Sequence, residues 1–300
     1  MSQDNELIMI PGGPRPRSQV HRLASNTTTV MAPGGRRLRS QVHSIGVDGG
    51  IVENKGAAAP LNRERQNLDP PGQSNWITAA WWLNQTGAPI SSFRTTWTVP
   101  AAPTTQSSQL LYLFNGLLPN DCSTILQPVL QWGNSDPSDN STGPYWTAAS
   151  WLVPVPPGDA YHTPHVRVNP GDALVGVITL LSQSAEGFVY CCEFEGIADT
   201  KTPPMPAMPE LMWGVETLEA YELVTTKTPP YDLNSQSEYP ATDQTTFKSI
   251  NIATGGAQPS GGSWTVKNYV SSFGEQTVAA VNSPTNGEVE IYYATPAGTV

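Results

Sequence analysis

Short apolar segments, separated at regular intervals by Pro, Gly, Asn and Asp, make up most of the chain after residue 75. Residues 91–99 show the pattern best, because Phe93, Thr95 and Trp97 alternate with polar residues until a proline ends the segment. A period of two turns one face of a strand towards a core. With 29 Pro, 26 Gly and nine Trp but only 13% charged residues, the composition also favours many short strands over long helices. We therefore predict an all-β fold, an antiparallel sandwich of two sheets.

Further segments have the length and composition of strands and are bounded by turn residues. Residues 169–172 (Asn-Pro-Gly-Asp) form a turn signal, and residues 284–287 (Pro-Thr-Asn-Gly) predict a hairpin between the last two strands. The predicted strands are residues 91–99, 110–114, 125–132, 145–153, 165–168, 173–181, 188–194, 214–223, 246–252, 264–269, 277–281 and 288–293.

The first part of the chain contains a tandem repeat. Residues 9–21 (MIPGGPRPRSQVH) recur as residues 31–43 (MAPGGRRLRSQVH), with a period of 22 residues. Two copies are too few to bury a core of their own, so we expect a pair of hairpins, or extended arms that pack on the main domain. In each copy Pro-Gly-Gly supplies a turn. We predict a basic N-terminal segment at 1–53, a linker at 54–74 and the sandwich domain at 75–300.

Charge is distributed unevenly along the chain. Residues 1–72 contain nine Arg and Lys against six Asp and Glu, a net charge of +3, whereas the remaining residues contain six bases and 19 acids, a net charge of −13. So acidic a body repels polyanions, and we therefore expect no nucleic acid as its partner. The basic segment and the acidic body attract each other, an interaction that salt weakens.

Several classes of protein are not indicated by the sequence. The three cysteines are an odd number, and two of them are adjacent, so a disulfide framework is not expected. No apolar run is long enough to span a membrane, and we recognise no secretory signal, so the cellular location stays unknown. The common nucleophile, zinc-peptidase, phosphate-loop and Cys-x-x-Cys motifs are missing. We expect no cofactor.

His162 and His165 are the two histidines of the predicted sandwich domain, three residues apart in a segment flanked by prolines. A metal site needs at least a third ligand, for which the sequence offers no clear supplier. We therefore expect no metal here and interpret both as histidines of a surface loop.

Amides and carboxylates on strands remain as candidates for chemistry. Alternation places Gln127 and Gln131 on one face of the predicted strand 125–132, where their amides can donate to an oxyanion or bind a ligand. On the strand 214–223, Glu219 shares a face with Tyr221, and Glu216 lies on the opposite face. Whichever acid faces a core has its pKa raised by desolvation, which makes it a candidate base.

The order of several short motifs between about residues 75 and 225 resembles the glutamic peptidases, also called eqolisins. These motifs are Trp97-Thr-Val-Pro100, Tyr112-Leu-Phe-Asn-Gly116, Ile125-Leu-Gln127, Tyr145-Trp-Thr-Ala-Ala-Ser-Trp151, Pro170-Gly-Asp172 and Glu216-Thr-Leu-Glu219. The resemblance implies a bent sandwich of the concanavalin-like, jelly-roll type. It also implies a groove that carries a catalytic glutamine and a catalytic glutamate.

By this resemblance the catalytic glutamine is Gln127, and the glutamate is Glu219 or Glu216. We prefer Glu219, because it shares a face with Tyr221. The glutamate is the general base on a water at acid pH, and the glutamine stabilises the tetrahedral intermediate. This requires the amide and the carboxylate to lie side by side in a groove that water can reach. The family's basic prosegments also suggest autoinhibition by residues 15–43.

The chain departs from the family pattern at several positions. Residues 149–151 (Ala-Ser-Trp) and Asn115 stand where the family has acidic residues, and Pro128, directly after the glutamine, removes a ladder donor. Such changes can leave the fold intact and abolish proteolysis.

Two other classes of function therefore stay open. The first is a lectin-like sandwich that binds a carbohydrate or a peptide without catalysis. The second is an assembly protein that associates with copies of itself through residues 9–45. In the first, and for substrate binding by an enzyme, the candidate residues are Tyr112, Asn115, Gln131, Trp132, Trp146 and Trp151.

Overall fold

The computed structural model describes residues 6–23, 29–32, 35–38, 75–136, 138, 140–155, 158–222, 233–259 and 261–295. The regular structure of these residues is almost entirely β-strand, which confirms the predicted all-β class. The proposed linker, residues 54–74, lies outside the described residues. The described part of the chain contains no helix that is long and apolar enough to cross a membrane.

The two copies of the repeat form two hairpins. The described strands before residue 75 are β1 (Leu7–Ile10), β2 (Gly13–Pro16), β3 (Val20–Arg22), β4 (Thr29–Ala32) and β5 (Gly35–Leu38). We call β1–β2 the first hairpin and β4–β5 the second hairpin. In the first hairpin Ile8 pairs with Arg15, and in the second hairpin Val30 pairs with Arg37, so the register is the same at a shift of 22 residues.

The sandwich is built from the strands that follow. They are β6 (Trp76–Leu83), β7 (Ile90–Thr98), β8 (Gln109–Pro119), β9 (Thr124–Gly133), β10 (Gly143–Pro154), β11 (Ala160–His162), β12 (Val166–Arg167), β13 (Ala173–Ser184), β14 (Gly187–Phe194), β15 (Leu211–Glu222), β16 (Gln244–Thr254), β17 (Thr265–Asn268), β18 (Gln276–Val281) and β19 (Thr285–Tyr292).

Two large sheets pack face to face. The nine-stranded sheet has the order β17-β6-β15-β8-β9-β10-β11-β3, with β12 also paired to β10, and the six-stranded sheet has the order β14-β13-β7-β16-β19-β18. Neighbouring strands are antiparallel, except that β3 pairs in parallel with β11. The N-terminal segment therefore supplies one edge strand of the nine-stranded sheet.

Apolar side chains cover both faces of the nine-stranded sheet. On its inner face Leu113, Leu130 and Trp146 pack with Phe93 and Trp97 of the six-stranded sheet, and these residues form the core of the sandwich. Its other face, which we call the outer face, carries a second apolar cluster, in which side chains such as Trp76, Tyr112, Phe114 and Trp151 pack with Ile8 and Ile10. The first hairpin thus lies on the outer face and covers part of it.

Candidate functional site

Five polar side chains are buried on the outer face of the nine-stranded sheet. Glu219 and Tyr221 come from β15, Tyr112 comes from β8, and Gln127 and Gln131 come from β9. All five are 0% exposed. They share one face because each strand turns alternate residues to the same side, as the sequence pattern predicts. This group, together with the first hairpin, is the candidate site.

Glu219 contacts the backbone of the first hairpin. Its Oε1 accepts a hydrogen bond from the Gly12 N–H at 2.9 Å and another from the Tyr221 hydroxyl. Its Oε2 is buried and has no hydrogen-bond partner among the described residues. Burial raises the pKa of Glu219 to about 7, and the hydrogen bonds from Tyr221 and Gly12 act in the opposite direction. The closed site therefore favours a protonated carboxyl at acid pH.

Tyr112 connects Glu219 to the neighbouring strand and to the hairpin. Tyr112 of β8 pairs with Glu219 of β15 on one side and with Gln131 of β9 on the other. The Tyr112 hydroxyl donates to the Met9 carbonyl oxygen at 3.1 Å, and the Met9 N–H donates to the Ser135 carbonyl oxygen at 3.2 Å. Burial is the main cause that raises the pKa of Tyr112, and the nearby Glu219 adds to it. The site thus binds both the N–H and the C=O groups of an extended chain.

The two glutamines of β9 differ in their surroundings. The Gln131 amide donates to the Gly133 carbonyl oxygen at 3.1 Å and to Ser135 Oγ at 3.0 Å. Neither atom of the Gln127 amide has a hydrogen-bond partner among the described residues, although the side chain is buried. Buried polar atoms without partners are rare in native proteins and need an explanation. A ligand on the outer face could supply one.

The resemblance requires Gln127 and Glu219 to lie side by side, but the structure separates them along the sheet. Gln131, not Gln127, lies in the cross-strand row of Glu219 and Tyr112. Gln127 lies four residues away, about 13 Å along an extended strand, and pairs with Trp151 of β10. Both side chains are fully buried in this structure. Gln127 and Glu219 therefore share a face, but they do not lie side by side in an open groove.

Glu216 lies on the inner face of the sheet. Its Oε1 accepts a hydrogen bond from Thr95 Oγ1 of β7 at 2.6 Å, so its side chain lies between the two sheets. Burial raises the pKa of Glu216, and the hydrogen bond from Thr95 opposes this shift. Of the two candidate acids, only Glu219 shares a face with Gln127.

The aromatic and amide residues considered for ligand binding lie on both faces. Trp132 and Trp146 pack edge to face in the core of the sandwich, with ring centroids 5.4 Å apart. Asn115 is buried on the inner face, because it pairs with Glu216 across β8 and β15. Only Tyr112, Gln131 and Trp151 of this set lie on the outer face. The predicted set of stacking tryptophans, Trp132, Trp146 and Trp151, is therefore split between the two faces and does not form one binding surface.

Arg15 anchors the first hairpin at the end of β10. The side chain is 2% exposed, and its two terminal nitrogens donate to the carbonyl oxygens of Pro154 and Gly158. Its pKa is lowered by burial and raised by the nearby Asp159. Farther along the segment, Arg17 forms an ion pair with Asp136. Buried charged donors of this kind bind carbonyl groups strongly.

A cavity of about 230 Å³ lies beside the hairpin and is lined by Arg17, Arg22, Trp151, His162 and His165 among others. The His162 ring stacks on Trp151, and both imidazoles are largely buried, in contrast to the expected surface loop. No group of three or more His, Cys, Asp or Glu side chains suited to a metal occurs among the described residues.

Several residues of the site were not identified from the sequence. Gly12 and Arg15 lie in the repeat, where the sequence indicated a turn and a basic segment but no contact with Glu219 or with the end of β10. Ser135 follows β9 in a loop and carries no motif. The contact of Tyr221 with Glu219 could be anticipated, because alternation puts both on one face of β15.

Solved structures similar to this chain include structures of glutamic peptidases. The structure of Scytalido-glutamic peptidase with a peptide based transition state analog matches with a TM-score of 0.47 and 16% identity, over 74% of this chain and 99% of that chain. A second structure of that peptidase, with a transition state analog inhibitor, matches with a TM-score of 0.46 and 15% identity over the same shares. SCP-B, described as a member of the Eqolisin family of peptidases in a complex with the tripeptide Ala-Ile-His, matches with a TM-score of 0.40 and 15% identity, again over 74% and 99%.

No family model matches the chain. The search of curated proteins also finds no match. The solved structures named above are described as a glutamic peptidase and a member of the Eqolisin family, which is the family that the sequence motifs resemble.

Proposed function

We propose that the outer face of the nine-stranded sheet is the peptide-binding groove of a glutamic-peptidase-like hydrolase, and that the first hairpin closes it. The observation that carries the proposal is the hydrogen bond from the Gly12 N–H to Glu219 Oε1. A peptide backbone already lies against a buried carboxyl on this face. The Tyr112 hydroxyl, which donates to the Met9 carbonyl oxygen, supports the same interpretation.

In the proposed reaction Glu219 removes a proton from a water, which attacks the carbonyl carbon of a bound peptide. Tyr112 donates a hydrogen bond to the carbonyl oxygen as it becomes negatively charged. The protonated Glu219 then gives its proton to the leaving nitrogen, so that one carboxyl acts first as base and then as acid. Gln127, whose amide has no hydrogen-bond partner within the described part of the chain, binds the peptide farther along the groove beside Trp151.

Release of the hairpin changes the protonation of Glu219. Burial is the largest cause of its raised pKa, and the hairpin provides part of that burial. When water replaces the hairpin, the pKa falls towards the ordinary value of a glutamate. The open form then holds the carboxylate that a base needs at acid pH, and the closed form holds the inactive acid.

The experiment compares the hydrolysis of denatured casein between pH 2 and pH 7 before and after the hairpin is released. A protease site placed in residues 46–50 of the full chain allows both hairpins to be cut off after folding. We expect hydrolysis only after the cut, and a loss of at least about a hundredfold in Glu219→Gln. Glu216→Gln is the matched control, because Glu216 lies on the inner face and its substitution should change stability and not turnover.

A non-catalytic peptide-binding sandwich is the second candidate. The separation of Gln127 from Glu219 favours it, since the glutamine and the glutamate do not form a close pair. A cut protein that binds peptides but hydrolyses none at any pH would decide for this function. Equal hydrolysis by Glu219→Gln and the unsubstituted protein would remove Glu219 from the proposed chemistry.

A further inference from the structure

We infer that the second hairpin is a weaker, alternative occupant of the groove and takes the place of the first hairpin in the same chain when the first is removed. The inference rests on the closure of the groove described above and not on hydrolysis. Each chain has two copies of the hairpin for one groove, so one copy is always in excess.

The strands of the two hairpins are paired alike. The second hairpin has the same strand lengths and the same register as the first, each residue shifted by 22 positions. Thr29 pairs with Leu38 as Leu7 pairs with Pro16. Strands paired in this way can present their backbone groups to the groove as the first hairpin does, and the sequence keeps a glycine, Gly34, at the position of Gly12.

Most residues of the first copy are retained in the second. Ten of the 13 residues in 9–21 are the same in 31–43. The retained residues include those that make polar contacts between the first copy and the domain, which are Met9 on Ser135 and Tyr112, Gly12 on Glu219, Arg15 on Pro154 and Gly158, Arg17 on Asp136, and His21 on Asp159. Their counterparts in the sequence are Met31, Gly34, Arg37, Arg39 and His43.

The two hairpins differ in the apolar side chains that they present to the groove. Ile8 and Ile10 are buried on the outer face, and the repeat has Val30 and Ala32 at these positions. The smaller side chains bury less apolar surface in the same groove. From the usual effect of an Ile-to-Ala change, the second copy should bind about thirty- to several thousandfold more weakly. The first hairpin therefore occupies the groove as long as both are present.

The second hairpin belongs to the same chain as the groove, to which residues 39–74 connect it. Its binding is therefore intramolecular, and linkage within one chain corresponds to a local concentration that can reach the millimolar range. A weak occupant can close the groove at that concentration. A single cut between the two hairpins should therefore not open the groove, whereas a cut after the second should.

The test uses the full chain with a protease site at residues 24–28 or at residues 46–50, cut after folding. Mass spectrometry establishes that the released fragment has been removed. The probe is a fluorescein-labelled synthetic peptide of residues 6–23, whose binding is followed by fluorescence polarisation. After the cut at 46–50 we expect tight binding, and after the cut at 24–28 we expect binding at least tenfold weaker, because the tethered second hairpin competes.

Arg37→Ala is the matched variant. In the protein cut at 24–28 it should restore the tight binding of the probe, and in the protein cut at 46–50 it should have no effect, because the second hairpin is gone. Equal probe binding after the two cuts would overturn the inference. A dimer in light scattering after the cut at 24–28 would also overturn it, since the hairpin would then dock on another copy. Because the probe measures occupancy, the outcome is independent of casein hydrolysis.

Discussion

Replacement of Glu219 by Gln should remove a specific part of the pH dependence of stability. The pKa of Glu219 is about 7 in the folded protein, against 4.5 for an unperturbed glutamate, because burial disfavours the charged form. The folded state therefore binds the proton more tightly than the unfolded state does. The resulting stabilisation is fully present below about pH 4.5 and is lost as the pH rises through 7.

The magnitude follows from the two pKa values. Their difference corresponds to about 3 kcal/mol, since one pH unit is worth about 1.4 kcal/mol. Gln cannot ionise, yet its Oε1 can still accept the hydrogen bonds from Gly12 and Tyr221. Glu219→Gln should therefore resemble the unsubstituted protein at pH 4 and be about 3 kcal/mol more stable than it at pH 8.

The assay is urea unfolding at a series of pH values, from which the free energy of unfolding is obtained at each pH. Glu195→Gln is the control, because Glu195 forms an exposed ion pair with Arg94 and such pairs contribute less than about 1 kcal/mol. The reasoning is refuted if the curves of Glu219→Gln and the unsubstituted protein run parallel between pH 4 and pH 8.

Three further predictions concern the hairpin and the inner face. Arg15→Ala should weaken the docking of the first hairpin by about 2–4 kcal/mol, since it removes two hydrogen bonds from a charged group. The expected readout is faster hydrogen exchange in β1 and β2, and Arg22→Ala, at an exposed residue, is the control. Gly12→Ala should weaken docking by about 1–2 kcal/mol, because the residue has a φ of +90°; faster exchange in β1 is the expected readout. Thr95→Val should destabilise the protein by about 1–3 kcal/mol in urea unfolding, since Glu216 Oε1 then has no donor.

Alternation identified strands wherever one face was more buried than the other. β7 is an example, because Phe93, Thr95 and Trp97 are buried, whereas the residues between them are partly exposed. β6 was missed for the opposite reason. Its residues, Trp76–Leu83, are buried on both sides, with Ile77 in the core of the sandwich and Trp76 in the outer cluster, so no alternation appears in the sequence.

The site was predicted in part. The alternation of residues along each strand predicted which side chains share a face, so it correctly grouped Glu219 with Tyr221 and Gln127 with Gln131. It could not give the register, because the pairing of β15 with β8 and of β8 with β9 depends on contacts far apart in sequence. That register places Gln131, and not Gln127, in the row of Glu219. The binding of the first hairpin to this row likewise depends on tertiary contacts.

The outer face presents both apolar side chains and buried polar groups, and the first hairpin covers both. A sheet face that carries Trp76, Tyr112 and Trp151 is stabilised when other apolar groups cover it. Ile8 and Ile10 supply that cover, while the backbone of the hairpin satisfies polar groups such as Glu219 and Tyr112. An extended polypeptide with apolar side chains and free backbone N–H and C=O groups meets both demands, as the first hairpin does, and for this reason the proposed groove favours a peptide over a carbohydrate.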